Sequence, residues 1–383
     1  MATLRVGADL FLGAPNKKQV NEIRNHFNAL PDFAFEEIIG RGAYGLTFRV
    51  VEKLANGKTR RLAVKRALSK ESESDLRREI TWMTRLGGAA HIARVLGTRN
   101  VTGGNMTNTR RGLAQLFRTR SRFLIGIEGP VLALEYLENG SLAGMYKRMC
   151  RAKTVLPNRI LWSFWVCLVR ACIAMAYPPD RGINATPRLE QITAGAIPGT
   201  LEHGDLHRGN IMIGLTDDFG EHGPIPGLKL IDFGTAQTDV NTHTRATPGT
   251  SWNIREMSNM MLDIIAHRTV LIETNNPVTY KGYETGASEI LDVPGGGGAN
   301  YPTLDEDFRD LMARCLARDQ NLRPSLPAIL TESLARAGKG AASYGANQAL
   351  ETDEAIRDVL KNLIYDASTT LPSDPIEIGW VLV

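Results

Sequence analysis

Eight consecutive residues concentrate most of the chemistry this sequence can offer: His203-Gly204-Asp205-Leu206-His207-Arg208-Gly209-Asn210, followed by the strand-like Ile211-Met212-Ile213. An aspartate and an asparagine on one loop that runs into a strand can set a carboxylate beside an attacking hydroxyl while the amide oxygen holds a metal. A second metal-facing carboxylate is offered twice, by Asp-Phe-Gly at 218–220 and again at 232–234. Leu228-Lys229-Leu230-Ile231 supplies a strand directly before Asp232, whereas Asp218 is surrounded by turn-forming residues. We therefore expect Asp232 to face the site and the first copy to be the tip of a hairpin.

Two further groups lie upstream. Leu62-Ala63-Val64-Lys65 is an apolar run that ends in a lysine, and burial on both sides sends such an ammonium toward a carboxylate and phosphate oxygens. Glu79 is the carboxylate candidate, carried by the charged segment Asp75-Leu76-Arg77-Arg78-Glu79-Ile80 with Ile80 and Met83 on its inner face. In Gly40-Arg41-Gly42-Ala43-Tyr44-Gly45 the glycines let backbone amides approach phosphate oxygens. A dinucleotide-binding turn would need a helix next. Leu46-Thr47-Phe48-Arg49-Val50 reads instead as a strand, so a hairpin lid is expected.

The elements that must position these groups follow from periodicity. Val20, Ile23, Phe27 and Leu30 predict an amphipathic helix over 15–30 with no evident role. Strand-like runs follow at Phe35–Ile39, Leu46–Val51, Leu62–Arg66, Ile92–Leu96 and Val131–Tyr136, with a charged helix from about Ser72 to Leu86. Beyond Asn139 helical periodicity dominates, broken by the runs Ile211–Leu215 and Leu228–Ile231, and a tail stripe of Ile356, Val359, Leu360, Leu363 and Ile364 predicts a last helix. The expected fold class is α+β: a small antiparallel sheet with one main helix, then a mainly helical lobe. The polar stretches Thr98–Gly129, Pro178–Thr200 and Asp217–Gly227 read as surface insertions.

In this order and context the residues resemble the protein kinase family, over roughly Phe33 to Leu334. The resemblance implies a bilobal fold: an N-terminal helical extension over 1–32, an N-lobe and hinge over 33–137, a C-lobe over 138–335 and a tail over 336–383. It implies ATP and Mg2+ as cofactors, with Gly40, Gly42 and Gly45 as the nucleotide lid and Lys65 paired with Glu79. Asp205 and Asn210 would form the catalytic loop, and Asn210 with Asp232 would hold magnesium. Leu134-Glu135-Tyr136-Leu137 looks like the hinge, so Glu135 and Leu137 would flank adenine. Gly249-Thr250 resembles the end of an activation segment in which Thr235, Thr238, Thr242, Thr244 and Thr247 are candidate phosphorylation sites. Cys315-Leu316 through Asp319, with Arg323-Pro324-Ser325, resembles the closing helices, with Glu256 as the partner of Arg323 or, in another register, the start of the next helix. The implied activity is transfer of the γ-phosphate of ATP to a protein hydroxyl, with serine or threonine favoured.

Departures from the pattern keep two alternatives open. His-Gly-Asp stands where the family most often has His-Arg-Asp, and His207 stands where a lysine is usual. The run His-Gly-Asp-Leu-His-x-Gly-Asn also looks like the catalytic loop of small-molecule kinases of the aminoglycoside and choline type. A pseudokinase scaffold would require loss of a phosphate- or metal-binding group, and by residue type none is lost.

Composition narrows the setting. The 383 residues are 43% hydrophobic and 22% charged, ordinary values for a globular chain. A formal net charge of +4 is too mild to imply nucleic acid or membrane as partner. The local exception is Arg110, Arg111, Arg118, Arg120 and Arg122 in a polar segment with little aromatic interleaving, which we read as a solvated loop. Cys150, Cys167, Cys172 and Cys315 have no paired spacing, so free thiols in a reducing compartment are expected rather than disulfides or structural zinc. No secretory h-region is evident near the N-terminus and the apolar stretch Ile160–Tyr177 reads as a buried helix, which together lead us to expect an intracellular, cytoplasmic or nuclear protein.

Overall fold

Alternation along the N-terminal strands decides where the first core forms. The computed structural model describes residues 14–41, 45–100, 121–183, 185–216, 219–238, 249–270 and 277–367. Strands β1 (Phe33–Arg41), β2 (Gly45–Lys53), β3 (Thr59–Ala67), β4 (Val95–Arg99) and β5 (Val131–Glu135) form one antiparallel sheet in the order β1-β2-β3-β5-β4. Because side chains alternate across a strand, Leu46, Phe48 and Val50 of β2, Leu62 and Val64 of β3, and Val131 and Ala133 of β5 share one face. Helix α1 (Ala14–Asn28) covers that face with Val20, Ile23 and Phe27, spaced one helical turn apart. The helix expected over 15–30 is thus no appendage. It completes the first core, fastened by Gln19 Nε2 donating to the Leu68 carbonyl at 2.8 Å and by Arg66 paired with Glu22 at 2.8 Å.

The opposite face presents Ala67, Leu132 and Leu134 to helix α2 (Glu73–Arg85), where Leu76, Glu79, Ile80 and Met83 line the buried side. This packing runs on without a break into the helical half. There α3 (Leu142–Ala152), α4 (Asn158–Ala176), α5 (Gly249–Ala266), α6 (Glu306–Cys315), α7 (Leu326–Ala337) and α8 (Asp353–Leu360) surround the hairpin β6 (Ile211–Thr216) and β7 (Pro226–Leu230). A short hairpin, β8 (Val278–Tyr280) and β9 (Tyr283–Thr285), was not foreseen in the sequence. Three-residue strands carry too little alternation to register.

Helix α4 is apolar all round, so it can only be stable when enclosed on every side. It is the one described helix long and apolar enough to cross a bilayer, and 94% of its apolar window is buried inside the protein. Its first turn has backbone N–H groups with no helical partner, and Glu351 from the tail accepts from Asn158 N at 2.7 Å and Arg159 N at 3.0 Å. Through Glu351 the described part of the tail, residues 337–367, is therefore bound into the helical half.

Two of the three expected surface insertions lie mainly at the surface, as their composition suggests, but each sends single side chains inward. In the stretch 178–200 Ile183 and Glu190 are buried, and in 217–227 His222 and Ile225 are buried. The polarity of Glu190 and His222 does not distinguish a buried partner from solvent contact. Of the third, residues 101–120 lie outside the described residues, and its end returns to the core through Phe123, Leu124 and Ile127.

Candidate functional site

The period of two that sends Val64 into the α1 core sends Lys65 to the other face of β3, toward α2 and the helical half. There its ammonium meets Glu79 Oε2 at 2.7 Å and Asp232 Oδ1 at 2.9 Å. Glu79 reaches it because it lies on the inward stripe of α2 with Leu76, Ile80 and Met83. Asp232 reaches it because the chain leaves β7 and takes a left-handed turn, with φ of 65° at Asp232 itself. A non-glycine residue adopts that conformation only when its surroundings fix it. Three residues from three separate elements are thus joined around one cation.

Burial drives the Glu79 carboxyl up to about 7, against the pull of Lys65. Lys65 is also buried, which alone would lower it, but two carboxylates outweigh that and hold its ammonium well above the ordinary lysine value. Lys65 therefore keeps its charge at neutral pH.

The loop 203–210 is organised by His203, which is fully buried. Its Nε2 lies 2.9 Å from the Ile231 carbonyl and its Nδ1 accepts from Asp205 N at 3.3 Å, a pattern that requires the neutral tautomer protonated on Nε2. Burial lowers its basicity in the same sense. The ring also packs on Phe233, with centroids 4.7 Å apart, so one imidazole ties the loop to the turn that carries Asp232. Asn210 Nδ2 donates to the Asp205 carbonyl at 2.9 Å and to Asp205 Oδ2 at 3.1 Å. Asp205 and Asn210 are thus neighbours in space, and Asn210 keeps its amide oxygen for another partner. His207 Nε2 stands 3.5 Å from Asp205 Oδ2, and this contact is the chief cause holding the Asp205 carboxyl below its ordinary range.

The glycine in His-Gly-Asp has a steric reason. Gly204 has φ of 81°, and a Cβ there would lie 2.7 Å from the Thr235 carbonyl oxygen. Neither an arginine nor any other side chain fits this backbone without strain. Thr235 closes the same contact by donating from Oγ1 to the His203 carbonyl at 3.1 Å.

Of the glycine run, Gly40 pairs with Thr47 at the end of β1 and Gly45 with Ala67 at the start of β2, so a hairpin follows the run, not a helix. A Cβ on Gly45 would meet the Arg66 carbonyl at 2.8 Å, so its first duty is close approach of β2 to β3. Gly42 lies outside the described residues, as do Asp218, Thr242, Thr244, Thr247, Arg110, Arg111, Arg118 and Arg120. Phe219 of the first Asp-Phe-Gly is 40% exposed whereas Phe233 of the second is fully buried. In the expected hinge, Glu135 is already engaged: its Oε1 accepts from Lys229 Nζ at 2.6 Å and from Arg94 N at 2.8 Å. Its main-chain N–H is engaged too, donating to the Arg94 carbonyl at 2.9 Å. Leu137 is buried beside it.

Both expectations for Glu256 are corrected. Arg323 donates to the Ser251 hydroxyl at 3.1 Å, and Glu256 pairs with Arg255 at 2.9 Å, inside a helix that begins at Gly249.

Sequence reasoning missed three supports. Asn253 of α5 accepts from His203 N at 3.1 Å and donates to the Leu201 carbonyl at 2.8 Å, fixing the entry to the loop. Lys229 anchors Glu135, and Arg208 pairs closely with Asp263 while stacking on the Tyr146 ring at 4.1 Å. Only an asparagine inside an apolar helix is a visible signal, since buried amides need partners. No protein-family model matches the chain, and no curated protein matches it significantly.

Proposed function

We propose that this chain is an ATP-dependent phosphotransferase that delivers the γ-phosphate to a protein hydroxyl, serine or threonine. The observation that carries the reading is the convergence of Lys65, Glu79 and Asp232, beside a loop in which Asp205 and Asn210 share a hydrogen bond. The carboxylate of Asp232 and the amide oxygen of Asn210 form a hard, all-oxygen donor pair of the kind that suits Mg2+. When bound there, the ion would neutralise charge on the phosphates. The chain's own groups do the rest. Glu79 orients the Lys65 ammonium, which binds phosphate oxygens, and the Gly40–Gly45 hairpin covers them. Asp205, kept ionised by His207, orients the acceptor hydroxyl and takes its proton.

The small-molecule reading retains one specific support, the His207–Asp205 contact in the His-x-x-x-His loop, which puts an imidazole where an ammonium would stabilise a transferring phosphoryl group better. Radiolabelled ATP offered side by side to a protein mixture and to a panel of small alcohols separates the two. Label on protein supports the reading. Label on an alcohol alone replaces it with the second. ATP binding without transfer to either leaves a scaffold.

A further inference from the structure

A second polar cluster lies behind β7, apart from the groups above. His91, in the loop between α2 and β4, Cys167 on α4, and His222, in the loop between β6 and β7, are all buried, and one potential ligand atom from each lies within 4.8 Å of the others. We propose that these three side chains supply three of the four ligands of a buried zinc site, with one position left to a water molecule, and that the ion locks the loop after α2, helix α4 and the β6–β7 hairpin together.

One pair already has the spacing that ion imposes. Cys167 Sγ and His222 Nε2 are 3.5 Å apart. A tetrahedral zinc with bonds of about 2.3 Å to sulfur and about 2.1 Å to nitrogen would hold such a pair about 3.6 Å apart. Thiolate and imidazole are ligands that zinc takes in preference to magnesium or calcium. The surroundings are those of a ligand set. His91 Nδ1 lies 2.8 Å from Glu190 Oε2, and Glu190 Oε1 accepts from the His91 backbone N at 2.7 Å, which fixes the ring and leaves Nε2 as its inward nitrogen. A carboxylate holding the far nitrogen of a ligating histidine is the usual outer support of a zinc site. Cys167 Sγ also accepts from Leu228 N at 3.2 Å, a donor aimed at a sulfur that carries charge.

Charge closes as well. Arg170, one turn along α4 from Cys167, pairs with Glu221 and donates to the Glu190 carbonyl at 2.6 Å. The charges of a divalent ion and Arg170 cancel those of the Cys167 thiolate, Glu190 and Glu221. Without an ion the same groups need two protons instead, one on the thiol and one shared by His91 and Glu190. The spacing of the cysteines hid this arrangement, because its ligands come from three distant segments and only one of them is a cysteine.

The site would act through position. The main chain of His91 accepts from Leu230 N at 2.9 Å, and Ala93 N donates to the Leu230 carbonyl at 3.1 Å, so the loop that carries His91 is paired with the strand that leads to Asp232. Zinc would thereby brace the segment from which Asp232 turns, whatever reaction that residue serves.

The full-length protein, purified without added metal, then dialysed against a chelator and reloaded with zinc alone, provides the test. Elemental analysis should find about one zinc ion per chain, with Cys167→Ser and His222→Gln losing it and Cys172→Ser, a buried thiol on the same helix, keeping it. Glu190→Gln should bind zinc about 10- to 100-fold more weakly. Cobalt substituted into the wild-type protein should show a thiolate charge-transfer band, a readout that stands even if the Cys167 variant fails to fold. Wild-type protein that binds no stoichiometric zinc, or cobalt protein without the thiolate band, would overturn the proposal in favour of the two-proton cluster.

Discussion

Two charged centres flank β7, and they differ mainly in how much solvent they see. On one side Lys65 and Asp232 keep 13% and 12% of their side-chain surface exposed, and Asp205 and His207 keep 40% and 41%. On the other His91 keeps 6% and Glu190 2%. The first joins the sheet and α2 to the helical half and the second joins the loop after α2 to it, each through ionisable groups drawn from three or more elements. Only the first has an exposed side, which the proposed reaction needs for a phosphate ester and a hydroxyl to enter. The second is closed to solvent at His91 and Glu190. Similar side chains therefore serve two ends, and access decides which.

The most severe test of that contrast removes chemistry while sparing the fold. Asp205→Asn keeps the hydrogen bonds to Asn210 and His207 within reach but cannot accept a proton. Turnover should fall by about 10² to 10⁴, with nucleotide affinity and thermal stability nearly unchanged. Steady-state kinetics beside a binding titration checks both halves, and unimpaired phosphate transfer would remove Asp205 from the mechanism.

Lys65→Met should strike both properties at once. The substitution leaves Glu79 and Asp232, two buried carboxyls, facing each other without a cation. Breaking a buried pair in this way costs about 3–5 kcal/mol. Part of that is recoverable, because Glu79 already titrates near 7 and can take a proton. A raised folded-state carboxyl gives stability that is complete below its unfolded value and is lost as pH rises through the folded one. Losing Lys65 removes the attraction that holds Glu79 down, so its carboxyl rises further and denaturation should show the deficit relative to wild type growing as the pH rises above about 7. A deficit that stays constant there would mean that Lys65 does not set the Glu79 carboxyl.

His207→Gln should have a smaller effect, confined to the acid limb. The hydrogen bond from His207 is the first cause of the lowered Asp205 carboxyl, followed by burial acting the other way. A depressed carboxyl stays ionised until the pH falls below its usual range, so removing its partner must move the protonation upward. The acid limb of kcat/KM should shift to higher pH in the variant while the neutral plateau keeps its shape. A shift in the opposite direction would mean that another group sets that limb.

Much of this was legible in the sequence, and the illegible parts share a cause. The convergence of Lys65, Glu79 and Asp232 could be anticipated because each sits in a short motif whose local periodicity predicts its direction: alternation for Lys65, a helical stripe for Glu79, a preceding strand for Asp232. The five strands of the first sheet were found for the same reason. Asn253, Lys229, Glu190 and His222 were not, since each works through a partner remote in the chain, and nothing local distinguishes a buried polar residue from a solvated one. The polar stretches 178–200 and 217–227 looked like surface for that reason, although Glu190 and His222 in them are buried. The role of α1 was also hidden. Its apolar stripe announces a helix but cannot say which face of which sheet it covers.

The duplicated Asp-Phe-Gly gives the smallest effect and the cleanest control, because the tripeptide is the same and only its setting differs. Phe233 is fully buried against His203, and Phe233→Ala should cost about 3–5 kcal/mol in denaturant melts, as large-to-small changes in a packed core do. Phe219 sits near the tip of the β6–β7 hairpin with 40% of its surface exposed, and Phe219→Ser should change stability by no more than about 0.5 kcal/mol and leave turnover as it was. The strand before Asp232 favoured the second copy from sequence, and the two phenylalanines differ in burial in the same direction. A loss of several kcal/mol at Phe219, or a collapse of activity there, would mean that the hairpin tip packs against a partner surface and that the two copies are less different than their exposure implies.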